Sequence, residues 1–466
     1  MQFDSYTYAL FLPIVFGLYW MLRRKLVWQN LMLLVASYVF YGWWDWRFLG
    51  LIAITTLSTF FNSLAIKDDK SRRSKGWVAA NIILNIGILA TFKYYDFFAY
   101  SFANILKAIG FNPDFVTLNL VLPVGISFYT LQAISYTIDV YRGHVKPTRD
   151  IVAFSVYIAF FPQLVAGPIE RARNLLPQFL KTKEFDYDNA VVGMRQILWG
   201  LVKKLVVADN LAGYVDNLIY HPSVMSGSTI VMAAILFAFQ IYTDFSGYSD
   251  IAIGSARLLN IKLTINFSYP FFSRSPKELW RRWHISLMTW LREYVYFPLG
   301  GSRCSKLRNC FNIMVVFSIS GLWHGADWTF VVWGFLNGLT LLPFVFMKKS
   351  SPATEHATWR DIPKCLITFL IFALIFISFR SPNISHLNEC ITAMASLSLF
   401  TVPMGLKALI YIVPLVIVEW LGRKQEFPIM KLPMPTVLRW SVYWSLLFLI
   451  AFYSAGRDIQ YIYFQF

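Results

Sequence analysis

Pro363-Lys364-Cys365-Leu366-Ile367-Thr368-Phe369-Leu370-Ile371-Phe372-Ala373-Leu374-Ile375-Phe376-Ile377-Ser378-Phe379-Arg380 runs from one cation to another with no charge between. A helix rises about 1.5 Å per residue, so such a run matches a hydrocarbon core about 30 Å thick. Comparable blocks recur near 6–22, 27–44, 49–66, 77–98, 118–140, 151–166, 191–218, 228–246, 311–322, 328–347, 404–420 and 437–455. The chain is 57% hydrophobic and 14% charged, against about 45–50% and 25% in soluble domains. The pattern predicts an all-α polytopic membrane protein. It predicts 10–12 transmembrane helices plus re-entrant and interfacial pieces, because some blocks are too short or broken to cross. A single integral-membrane domain is expected over 1–466, with its motifs at about 40–340 and further helices in 360–466.

The net charge is +17. No aromatic-basic soluble domain is present, so nucleic-acid binding is not expected. Lys and Arg collect instead in short loops, at 23–26, 67–75 and 142–150, while 45–48 is nearly neutral. By the positive-inside rule this alternation places the N-terminus outside and the basic loops against anionic lipid in the cytoplasm. The first apolar run is followed, not preceded, by Arg23-Arg24-Lys25. It therefore reads as a retained membrane helix, not a cleaved signal peptide. Cys304, Cys310, Cys365 and Cys390 have no metal-ligand spacing; free thiols and no bound metal are expected.

Two apolar runs are interrupted, at Leu122-Pro123-Val124-Gly125-Ile126-Ser127-Phe128-Tyr129 and Phe161-Pro162-Gln163-Leu164-Val165-Ala166-Gly167-Pro168. Backbone groups freed at membrane depth must be covered by protein or line a watered cavity. Simple kinks fit either break; the two together point to a cavity.

Chemistry-bearing groups cluster later. Trp280-Arg281-Arg282-Trp283-His284 opens a segment, Ser273 to Arg292, dense in Arg and Trp. Read as one helix, it gathers Trp280, Trp283, Leu287, Trp290 and Leu291 near one face. Such a helix fits an interfacial anchor. It equally fits a donor entrance, where Arg281, Arg282, Arg292 and Trp283 receive a phosphate-bearing thioester. His324 stands in Gly321-Leu322-Trp323-His324-Gly325. A titratable ring in an apolar span is costly, and the flanking glycines leave room for something to approach. Asp244 and Asp250, in Tyr242-Thr243-Asp244-Phe245-Ser246-Gly247-Tyr248-Ser249-Asp250, are read as supporting polar residues. They orient a histidine or hold a helix pair. Glu419, close to Arg423 and Lys424, is expected at the membrane surface. No nucleophile elbow, P-loop, dinucleotide fingerprint or H-E-x-x-H occurs.

The pair Trp-Arg-Arg-Trp-His284 and Gly-Leu-Trp-His324-Gly resembles the membrane-bound O-acyltransferase family. Ile138-Asp-Val-Tyr-Arg-Gly143, the two broken runs and residues 242–250 extend the resemblance to the bacterial branch that O-acetylates alginate or peptidoglycan. Members that transfer D-alanine are more distant. The resemblance implies a helical funnel with a thin centre. Through it an acyl group passes from a cytoplasmic thioester, such as acetyl-coenzyme A, to an acceptor outside. It implies that His324 is catalytic and that His284 is a second polar residue on the donor side. It also implies an inner-membrane location, a polysaccharide acceptor and an extracytoplasmic SGNH-type acetyltransferase partner.

Imidazole, with a pKa near 6.5, is a competent base at pH 7 for a hydroxyl acceptor. The terminal Tyr461-Ile462-Tyr463-Phe464-Gln465-Phe466 is similar to an F-x-Y-x-x-F motif of some envelope acylation systems, with Tyr461 in place of the first Phe. It makes Tyr463 either an acyl relay or an aromatic interface anchor, and the relay requires the C-terminus outside. Another acyl cargo, or a lipid or teichoic-acid acceptor, would use the same histidines. A passive channel is the reading from a different class.

Overall fold

Helix starts follow from capping chemistry. The Ser5 side chain accepts from Tyr8 N–H to open helix Tyr6–Met21. Asp150 accepts from Val152 and Ala153 N–H to open Ile151–Ala159. Ser305 and Asp327 open Lys306–His324 and Trp328–Leu341 in the same way. The computed structural model describes residues 1–66, 71–111, 117–165, 167–220, 226–347 and 356–454, and it is helical, with no strand among them. Among the described residues six helices are long and apolar enough to cross a membrane: Leu26–Ala65, Arg72–Ala108, Gly227–Leu258, Trp328–Phe346, Trp359–Arg380 and Thr436–Ser454. Tyr6–Met21 and Ile151–Leu164 are shorter apolar helices. The chain is thus a multi-pass membrane protein. Its four cysteines are free thiols.

The chain falls into two compact units. The first comprises Met1–Val191 and Ser255–Thr264. Its helices are tied by polar groups inside an apolar core. Asn81 donates to Thr59 Oγ1 at 3.1 Å and accepts from Thr137 Oγ1 at 3.0 Å, linking three helices. Here the two broken runs find their explanation. The first yields no helix before Ile126, because Gly125 is left-handed (φ 75°). A side chain there would put its Cβ 2.5 Å from the Leu164 carbonyl oxygen, so both the turn and the close approach require glycine. The stranded Val124 carbonyl accepts from Tyr41 Oη at 2.9 Å. At the second break Phe161 N–H donates to Ser37 Oγ at 3.1 Å. At both breaks a side chain of the protein satisfies a freed backbone group.

The second unit comprises Val192–Gly254 and Ile265–Phe466. Most of Gly227–Leu258 belongs to it; 89% of that helix's apolar window is buried, so it is a core helix. Thr436–Ser454 has no buried residue and offers its surface to lipid. Lys306–His324 and Trp328–Leu341 approach through glycines. A Cβ on Gly321 would lie 2.1 Å from Phe330 O, and one on Gly334 would lie 2.2 Å from Phe317 O. The sequence block 191–218 is not one helix. Tyr187–Leu201 passes into a π-helical segment, Val202–Ala208, before Asp209–Tyr220.

Ser273 to Arg292 also departs from expectation. It forms two short helices, Pro276–Arg282 and Ile285–Leu291, broken at Trp283–His284, where His284 adopts φ 44°. Distant backbone partners hold the break: Ser268 N–H donates to Arg282 O (3.0 Å) and Ile285 N–H to Asn266 O (2.9 Å). The single-face Trp pattern therefore does not exist.

Candidate active site

His324 ends helix Lys306–His324 and is 5% exposed; His284 is 1% exposed. Their ring centres lie 6.2 Å apart. Aromatic rings close around them. His284 stands 4.7 Å from Phe245 and 5.7 Å from Trp323. His324 stands 5.0 Å from Trp333 and 5.4 Å from Phe379. Histidines forty positions apart in sequence are thereby neighbours in a low-dielectric cage. The room expected at the glycines is occupied by the protein itself: the Phe330 carbonyl fills it at Gly321 and the Phe330 ring at Gly325. These glycines seat the neighbouring helix against His324.

His284 Nδ1 lies 3.2 Å from Asn266 Oδ1. The same oxygen accepts from Ser286 N–H at 3.3 Å and Ser286 Oγ at 2.9 Å. His284 Nε2 is buried and has no hydrogen-bond partner among the described residues.

The arginines do not act as one group. Arg282 donates to Glu278 Oε1 at 2.9 Å, and Arg274 to the same oxygen at 2.8 Å. Burial pushes the Glu278 carboxyl up, but the hydrogen bonds from Arg274 and the charges of Arg282 and Arg274 outweigh it and hold it below the usual glutamate range. Arg282 is thus already engaged by an acid. Arg281 and Arg292 are exposed. Trp283, placed by the sequence at a donor entrance, is 2% exposed and packs 5.0 Å from Phe372 and 5.2 Å from Phe267. It is a wall of the core.

Asp244 and Asp250 pair with lysines. Lys204 lies 3.0 Å from Asp244 and 2.8 Å from Asp209; Lys203 lies 2.6 Å from Asp250 and donates to Ser246 Oγ at 2.9 Å. The helix-holding alternative fits this geometry. Sequence reading missed Lys203 and Lys204, although two adjacent ammonium groups inside an apolar block are the signal to look for. Glu419 is not at the surface. It is 5% exposed and accepts from Tyr242 Oη at 2.8 Å. Lys203, Asp250, Tyr242, Glu419, Ser249 and Asn266 line a narrow polar cleft of about 20 Å³, room for about one water, which thus reaches the residue that grips His284. Tyr463 and the terminal aromatic motif lie outside the described residues.

A family model for the membrane-bound O-acyltransferase family matches residues 144–386, just over half of the chain, including both histidines. The chain is 36% identical over 400 residues to the probable alginate O-acetylase AlgI of Azotobacter vinelandii, covering 85% of this chain and 78% of that protein. It is 36% identical over 420 residues to a peptidoglycan O-acetyltransferase of Helicobacter pylori, covering 83% and 78%. A teichoic acid D-alanyltransferase of Bacillus subtilis is 26% identical over 283 residues, covering 58% and 71%. With its helical membrane architecture and its buried histidine pair, this chain belongs to the membrane-bound O-acyltransferase family and is an acyltransferase.

Proposed function

We propose that the chain moves an acetyl group from a cytoplasmic thioester, such as acetyl-coenzyme A, across a bacterial inner membrane for O-acetylation of an extracytoplasmic polysaccharide. The observation that carries this reading is the histidine pair, 6.2 Å apart in an aromatic cage. His324 is the base. It takes the proton of an acceptor hydroxyl, the oxygen attacks the thioester carbonyl, the carbon–sulfur bond breaks, and the proton leaves with the sulfur as a thiol. General base catalysis of this kind contributes about 10²- to 10⁴-fold; thioester reactivity and positioning supply the rest. His284 faces the donor side. Arg281 and Arg292, both exposed, are the cations assigned in this reading to donor phosphates.

The acceptor is either a hydroxyl of the polymer, Tyr463 as a relay, or an extracytoplasmic SGNH-type partner that completes the transfer. The relay requires the C-terminus outside, which an outside N-terminus, as the basic loops suggest, and an even number of crossings would satisfy. The similarity to the Helicobacter peptidoglycan O-acetyltransferase supports a second acceptor, the cell wall. D-alanine as cargo has weaker support, at 26% identity.

The test is alkali-released acetate from the cell surface in a strain carrying His324→Ala. Loss of at least about 100-fold at a normal protein level is expected. Unchanged acetate overturns the assignment. Fractionating the ester between exopolysaccharide and cell wall decides the acceptor.

A further inference from the structure

Asn266 is 1% exposed and sits between the cleft and His284. Its amide orientation follows from its partners. Ser286 N–H can only donate, so the atom it meets is the side-chain oxygen. The other end of the amide donates to Ser249 Oγ at 3.3 Å. His284 Nδ1, facing that oxygen at 3.2 Å, must carry a proton and donate it. Nε2 then holds the lone pair. At rest a second proton there would be an unpartnered buried cation among the rings of Phe245, Phe267 and Trp323, which is costly, so Nε2 keeps its lone pair and any proton it takes up is passed on at once.

Asn266 also grips the backbone beside this residue. Its carbonyl accepts from Ile285 N–H at 2.9 Å, next to the left-handed turn at His284. A non-glycine residue at φ 44° stays there only when its surroundings over-determine it. Three acceptor contacts and one backbone bond converge on that turn.

We propose that Asn266 is a positioning residue that locks His284 as the Nδ1–H tautomer, so that Nε2 acts as the proton acceptor on the donor side. The step balances. His324 receives the hydroxyl proton as the new carbon–oxygen bond forms. It passes the proton to His284 Nε2, and His284 delivers it to the sulfur as the carbon–sulfur bond breaks. Both rings end neutral. The ring centres lie 6.2 Å apart, and in this proposal the proton crosses between the two rings directly or through one bridging water. This inference rests on the reaction centre proposed above.

The experiment uses the purified full-length chain in proteoliposomes, with acetyl-coenzyme A as donor and an oligosaccharide as acceptor. Asn266→Ala should lower kcat about 10- to 100-fold, with KM for the donor within about twofold, as expected when an orienting partner is removed. Asn266→Asp still accepts from Nδ1–H and should restore kcat to within about tenfold of the parent. A merely structural role predicts the reverse, because a buried carboxylate is harder to accommodate than alanine. Unchanged turnover in Asn266→Ala, or a folded Asn266→Asp as inactive as Asn266→Ala, overturns the proposal.

Nitrogen-15 resonances of His284 in the unsubstituted protein, assigned by difference against His284→Gln, read the tautomer directly. A protonated Nδ1 with a bare Nε2 supports the proposal; the opposite tautomer overturns it. His324→Ala in the same series separates the two claims. Full turnover there overturns the reaction centre itself. Loss there, with Asn266→Ala unaffected, overturns only the positioning role.

Discussion

His284 shows how much one residue depends on partners that sequence distance hides. Its side chain marked it as a costly polar group, and that was legible. Its strained backbone and the tautomer proposed for it were not, because both come from Asn266 and Ser268, 18 and 16 positions upstream and beyond helix Pro276–Arg282. Glu278 was also overlooked beside its three arginine neighbours, yet it decides which of them remains available. Its carboxyl sits below the ordinary value of 4.5 in the folded chain, so the unfolded chain binds the proton first as pH falls. The stability contributed by the Arg274–Glu278–Arg282 network is complete above pH 4.5 and is lost as pH drops through the lower folded value. Its partly exposed carboxylate, 16% accessible, keeps the effect modest. In detergent, thermal midpoints of the parent and Glu278→Gln should differ at pH 7 and converge in acid. A constant difference across that range contradicts the assignment.

At the scale of elements, the helices were readable from apolar blocks and the interruptions from Pro and Gly. What fills the interruptions was not. Tyr41 and Ser37 close the two broken runs from a helix about 80 to 125 positions earlier, and no local pattern announces that. The glycines beside His324 were read as space for a ligand, whereas they are contact points between Lys306–His324 and Trp328–Leu341. Gly321→Ala forces its Cβ against the Phe330 carbonyl, which should cost about 1–3 kcal/mol and shift Trp333 from His324. Gly87→Ala is the control: it lies within helix Arg72–Leu89, with nothing within 4 Å of its Cβ. It should be neutral or slightly stabilising. Thermal midpoints of the two variants check this, and equal stability of both contradicts the packing argument.

At the scale of the whole molecule, the membrane class and family followed from composition and ordered motifs, because lipid imposes its requirement on nearly every residue. The polar interior was harder to see. Lys203 and Lys204 were absorbed into an apolar block, and Glu419 was assigned to the surface by its basic neighbours. Each is buried with an oppositely charged or hydroxyl partner, a pairing that only the tertiary structure creates. In the proposed reaction the histidine pair transfers an acyl group from one side of the membrane to the other. Its most direct test places the purified chain in sealed vesicles, with carbon-14 acetyl-coenzyme A on one side and an oligosaccharide acceptor on the other. Labelled ester should form on the acceptor with the parent chain, and at least about 100-fold less with folded His324→Ala. Equal label with both chains would contradict it.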